Sequence, residues 1–162
     1  MTCLSCESVI MDGIRWCSIC HTNTVDPQIG KLATPGRRLA AFLLDVAIPG
    51  TVILLLVLAV AIIPSELEIG IVGILLMASL WCAYALVSLI LFASGTTPGK
   101  KMLGMQVINE DGSNAGFFTM LFREWIGKYL SGAIMMLGYL WILIDQDNQG
   151  WHDKLVRTYV VD

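Results

Sequence analysis

The chain has 162 residues, 56% hydrophobic and only 14% charged, with a net charge of −3. Soluble domains carry about 25% charged residues, so this composition argues against an ordinary soluble domain. No basic stripe suggests a nucleic-acid partner.

The chain opens MTCLSCESVIMDGIRWCSICHT, with Cys3, Cys6, Cys17 and Cys20 forming two C-x-x-C pairs. One C-x-x-C followed by His21 would be a weak sign of covalent haem, and that reading leaves Cys3 and Cys6 unexplained. A redox pair or an iron–sulfur site is a further alternative. Two knuckles separated by ten residues fit best a tetrahedral four-cysteine site for structural Zn²⁺. Asp12-Gly13 supplies a turn signal between them, and Trp16 is placed to pack beneath the second knuckle. Such a module has little apolar core, so bound metal would supply most of its folding energy. His21 reads as a bystander. The stretch resembles the short bacterial zinc-ribbon family, in which a C-x-x-C, a D-G turn, an aromatic and a second C-x-x-C recur in this order. We assign 1–22 to this module and 23–36, with two prolines and two glycines, to a linker.

Leu39–Ile63 contains Asp45 as its only carboxylate and no base, and Ile69–Phe92 carries no charge. Both exceed the roughly 20 residues that span a bilayer as a helix. Arg38 and Asp45 are seven residues apart, so they share one helix face with a rise of about 10.5 Å between them. Pro49 has no N–H, so the carbonyl of Asp45 loses its helical partner. A carboxylate and a freed carbonyl at one depth suit an ion or proton carrier. They suit equally a structural bond to Arg38 or a neighbouring helix. In the second span Ser79, Tyr84 and Ser88 read as packing residues, and Cys82 as a small buried apolar group.

The next stretch, ASGTTPGKKMLGMQVINEDGSNAGFF, lacks phosphate-loop spacing. Lys100 and Lys101 read as anchors to lipid phosphates. MQVI followed by EDGS reads as a strand and turn, with TYVV near the C-terminus as the strand's partner. Ile126–Ile144 is apolar but holds Lys128 and three glycines. Three full crossings would separate MQVI from TYVV, so we expect 117–144 to be a broken or re-entrant pair, with breaks at Gly127, Gly132 or Gly138. FFTMLFREWIGKYL within it is amphipathic enough to lie at the interface. Asp153 would then meet the end of the bundle that carries Arg38. Asp145 and Asp147 read as turn caps or solvent-facing groups, and His152 as a surface residue.

Three segments, RRLAAFLLDVAI, SGTTPGKKMLGMQVI and QGWHDKLVRTYVV, occur in an order that resembles the RDD family of small membrane proteins. The resemblance covers about 37–162. It maps the family arginine to Arg38 and the two aspartates to Asp45 and Asp153, and Arg123 to a basic position in the third helical region. It implies a transport role, with sodium–proton antiport proposed for some relatives.

The expected fold is an all-α membrane protein. It has two transmembrane helices, a third broken region, a small cytoplasmic β-hairpin and the N-terminal zinc ribbon. No apolar signal segment precedes the first span. Lys31, Arg37, Arg38, Lys100 and Lys101 flank the spans on one side, and PSELE connects them on the other. The positive-inside rule thus expects a cytoplasmic N-terminus in a multi-pass protein of the cell membrane. Expected partners are the bilayer, further copies in a homo-oligomer and a cytoplasmic protein at the ribbon. No nucleophile–base pair stands at credible spacing, so no enzymatic activity is expected.

Overall fold

In the computed structural model the backbone is described for residues 1–62, 67–133 and 137–162. Helix α1 spans Pro35–Ile62 and α2 Leu67–Phe92. Thr34 accepts a hydrogen bond from the Arg37 N–H and Pro35 occupies the first turn, so α1 starts two residues before the boundary expected at 37. Pro35–Leu58 and Ile71–Phe92 are long and apolar enough to cross a membrane, and large apolar side chains point outward all along them. Cys82 is among these outward-facing residues rather than buried, since it stands on a stretch of α2 whose large apolar neighbours Leu80 and Trp81 are exposed too.

After α2 the chain forms a short helix α3 (Pro98–Met102), strand β1 (Gln106–Asn109) and helix α4 (Phe117–Leu121). A π turn, Phe122–Gly127, joins α4 to α5 (Lys128–Ala133). Then come α6 (Leu137–Leu140), a 3-10 turn Trp141–Leu143, helix α7 (Trp151–Leu155) and strand β2 (Thr158–Val161). The third apolar region is a bent pair. Phe117–Ala133 and Leu137–Leu143 meet at 106°. Of the expected break points, Gly132 and Gly138 lie inside the two arms close to their facing ends, and residues 134–136 between the arms lie outside the described residues. Gly138 lets the arms close together, since a Cβ there would stand 2.6 Å from Ser131 Cα.

The strands pair as expected. β1 and β2 are antiparallel, with Val107 opposite Val160 and Ile108 opposite Tyr159. Strand residues alternate between faces. One face sends Val107 and Val160 into a core with Ala33, Ala41, Phe92, Met105 and Met120. The other sends Ile108, Tyr159 and Val161 against Trp16 and Leu32. All four residues of β2 are buried, which explains why TYVV is polar-free apart from Thr158 and the Tyr159 hydroxyl.

The segment expected to be a linker is instead part of this assembly. Leu32 pairs with Val161, Lys31 with Thr22, and Asn23 with Trp16. The Ala33 N–H donates to the Val160 carbonyl at 2.9 Å and the Asp162 N–H to the Lys31 carbonyl at 2.9 Å. The physical reason is Leu32 and Ala33, which are both buried. Glycine and proline content masked a stretch that carries its own apolar anchor. Trp16 accordingly packs on Tyr159, with ring centroids 5.4 Å apart, rather than serving only its knuckle. Arg15 reinforces the seam by donating to the Glu110 carbonyl at 2.8 Å.

Candidate functional site

The four N-terminal cysteines converge. Their sulfurs all lie within 4.8 Å of one another, with Cys3 and Cys20 3.6 Å apart and Cys6 and Cys17 3.7 Å apart. That is close enough for one metal ion. The Cys20 N–H aimed at Cys17 draws its thiol down to about 6. Cys3 goes the other way. Against the pull of the Ser5 and Cys6 amides, burial and the neighbouring thiols push it up to about 11. His21 contributes no atom to the cluster.

Asp45 does not join Arg38. Its carboxylate accepts the Thr97 hydroxyl at 2.7 Å and the Gly99 N–H at 2.7 Å. The carbonyl released by Pro49 accepts the Tyr84 hydroxyl at 3.0 Å. Tyr84 thus does more than pack, and both acceptors offered by this position are taken. Thr97 also caps α3 by accepting from the Lys100 N–H. Gly99 permits the contact. A Cβ at Gly99 would collide with the Ala41 carbonyl and lie 3.0 Å from the Asp45 carboxyl carbon. The TTPGK turn is the nearer neighbour, and it claims Asp45 before Arg38 can.

Arg38 and Asp153 do meet, with Arg38 also donating to the Asn148 carbonyl. Asp153 has no exposed surface. Its Oδ1 accepts from Arg123 Nε at 2.7 Å and Nη2 at 2.5 Å, and its Oδ2 accepts from Arg38 and the Gly150 N–H. The two guanidinium groups overcome the desolvation that opposes ionisation and hold its carboxyl well below the usual carboxylate range. Arg123 turns its remaining nitrogen to Glu124 at 2.7 Å, and Glu124 also pairs with Lys100 at 3.1 Å and with Lys128. The π turn makes this arrangement. It places adjacent residues Arg123 and Glu124 on the same inward side, which a regular helix does not do.

Lys100 is buried in this network rather than anchored to lipid, because α3 is pinned to α1 and faces Glu124; Lys101 stays exposed. Burial lowers Lys100 to about 8, and Glu124 partly offsets that. His152 is buried too. The Ser131 hydroxyl accepts from the His152 N–H at 3.1 Å and sits 3.1 Å from Nδ1. Burial drives the imidazole down to about 3, so it is neutral near pH 7. Asp145 receives Lys154 and the Gln149 N–H, as a turn cap does.

Sequence reasoning missed Glu124, Lys100 and Lys128 as members of the site. The available signal was an Arg-Glu pair with a lysine four residues after the acid, inside an otherwise apolar region.

Two membrane-length helices, a bent third pair and a buried Arg–Asp–Arg junction define an integral membrane protein of the helical type. Residues 32–157 match the RDD family, and the chain belongs to it. An uncharacterized protein, YxaI, of Bacillus subtilis (strain 168) is 36% identical over 69 residues. That match covers 40% of this chain and 42% of the relative. No solved structure matches.

Proposed function

We propose that the chain is a membrane-anchored scaffold that presents a zinc-held cysteine module to a protein partner. The observation that carries this reading is the full engagement of Asp45. Its carboxylate and its freed carbonyl are held by Thr97, Gly99 and Tyr84, so the residue is a clasp between α1 and α3 rather than a free carrier. The module is fixed to the sheet by Trp16, Arg15 and Leu32, while Leu4 and Ile19, one in each knuckle, are 70% and 66% exposed. Apolar tips on a rigidly mounted module favour recognition of another protein.

Zinc is the metal that suits the cluster. With Zn–S bonds of about 2.3 Å a tetrahedral site separates its sulfurs by about 3.8 Å, against 3.6 Å for Cys3–Cys20 and 3.7 Å for Cys6–Cys17. The metal is structural, since all four donors are protein thiolates.

The membrane arrangement we favour has two crossings and a re-entrant third pair. The pairing of Leu32 with Val161 supports it, because segments before α1 and after the bent pair must then lie on one face. An even number of crossings follows. The basic residues of the loops on that face favour the cytoplasm for it by the positive-inside rule.

A second reading, cation–proton exchange by an oligomer, draws on the buried charges around Arg38, Arg123 and Asp153. Proteoliposome flux separates the two. The scaffold reading expects no Na⁺- or K⁺-driven proton movement. A cation-dependent flux abolished by Asp45→Asn in a folded protein would overturn it.

A further inference from the structure

The basic residues of the network share a second property. Arg38, Lys100, Arg123 and Lys128 all line one cavity of about 390 Å³. Among the described residues its lining contains no carboxylate. Asp153 and Glu124 stand behind the cations, and these two acids face four bases. Each base is paired, yet the four outnumber these acids by two, and they stand together at a partly open cavity. Uncompensated buried charge is costly, and an anion entering from outside removes the cost.

The remaining walls are apolar. Leu39 and Phe42 come from the first two turns of α1, and Leu140 and Leu143 from the second arm of the bent pair. All four are exposed. Arg38 stands where α1 enters its apolar span, the depth of lipid headgroups. Lys128 is the most accessible of the bases, at 20% against 8% or less for the others. Its ammonium has three donors and gives one to Glu124. It also rests 5.7 Å from the centre of the Phe42 ring, at the boundary between the charged and apolar walls.

We propose that this cavity binds the anionic headgroup of an amphiphile, with Lys128 as the outermost contact and the hydrocarbon lying along Leu39, Phe42, Leu140 and Leu143. A volume near 400 Å³ is within the range of specific small-molecule sites. The site does not depend on whether the protein acts as a scaffold or an exchanger. A free phosphate offers the same head chemistry without the apolar part.

The test uses the full chain purified in a neutral detergent and native mass spectrometry. The probes are palmitoyl-oleoyl phosphatidylglycerol, the phosphatidylcholine of the same chains, and inorganic phosphate. Phosphatidylglycerol is expected to be retained over phosphatidylcholine. Lys128→Gln is expected to weaken that retention about fivefold, the worth of one basic group at an anionic surface, and Lys128→Arg to restore it. Leu143→Asp leaves the network intact and adds a carboxylate at the rim. It is expected to weaken retention as well, which guards against a misfolded Lys128→Gln protein. If phosphate alone competes away phosphatidylglycerol at equal concentration, the head pocket binds a free anion and the amphiphile proposal fails. Equal retention of the two lipids, or retention indifferent to both Lys128→Gln and Leu143→Asp, overturns it too.

Discussion

Arg123 grips Asp153 with two of its nitrogens on one carboxylate oxygen, at 2.7 and 2.5 Å, across 30 residues of sequence. The pair ties the π turn to α7, and through Arg38 it ties both to the first turn of α1. Arg38 and Asp153 are thus two corners of a three-residue junction, with Arg123 the third.

Removing one member of a buried ion pair leaves the other charge uncompensated, typically at a cost of about 3–5 kcal/mol. Arg123→Leu should therefore lower stability in detergent by about that amount, read from thermal unfolding followed by circular dichroism. Asp153→Asn should cost no less, because it strands two guanidinium groups. A loss under about 1 kcal/mol for either would mean that solvent already reaches the pair.

The histidine beside this junction predicts a pH response. His152 is held at about 3 by burial, against an ordinary value of 6.5. The unfolded chain takes up a proton on His152 below pH 6.5 and the folded chain does not, so stability falls as pH drops from 6.5 toward 3. Asp153, whose carboxyl is depressed, adds its own loss only once pH falls below about 3.8, the range where an unfolded carboxyl protonates. Comparing melting curves of wild type and His152→Gln between about pH 4.5 and 6.5 isolates the first effect. The slope should flatten in the variant, while acid loss of metal from the cysteines affects both proteins alike.

At Asp45 the two roles make opposite demands on an amide. Asparagine still offers an oxygen to the Gly99 N–H and a donor to the Thr97 hydroxyl, so Asp45→Asn should fold with a loss of about 1 kcal/mol. Asp45→Ala strands both partners and should cost about 2–3 kcal/mol. Gly99→Ala should be at least as harmful, because the new methyl collides with the Ala41 carbonyl. Ranking the three variants by unfolding temperature is a direct check, and an Asp45→Ala protein as stable as wild type would remove the clasp.

Metal removal should be visible from the far side of the module. Purified protein is expected to carry about one zinc per chain, and Cys17→Ser to carry much less. Stripping the metal with a chelator unfolds the knuckles, so Trp16 should leave Tyr159 and its emission should shift to the red. The shift should be absent in Trp16→Phe, which separates it from the four other tryptophans.

The readable parts of the chain were those with local signals. Two long apolar runs, the first broken only by Asp45, announced the spans, and two C-x-x-C pairs announced the sulfur cluster. The strand-like runs MQVI and TYVV announced partners far apart in sequence, and Val107 stands opposite Val160. The meeting of Arg38 with Asp153 was legible only through family resemblance and the requirement that those strands share a side. What stayed hidden depended on contacts with no periodicity behind them. Nothing local tells that Asp45 is claimed by Thr97 and Gly99, or that Lys100 turns inward to Glu124. The π turn was equally invisible, because its register change follows from the pairing it serves. The role of residues 23–36 was obscured because glycine and proline outweighed Leu32 and Ala33 in the composition.

Strand β2 lies between β1 on one side and the segment around Leu32 on the other. During translation the cysteine module and Leu32 leave the ribosome long before residues 158–161 exist. The knuckles are free to gather their metal early, yet the module has no seat until β2 arrives and closes a loop that contains both spans and the bent pair. Such closure is slow relative to local folding. Docking of the module therefore waits until both long helices and the bent pair have been made, and until then Trp16 and Leu32 lack the strand that buries them.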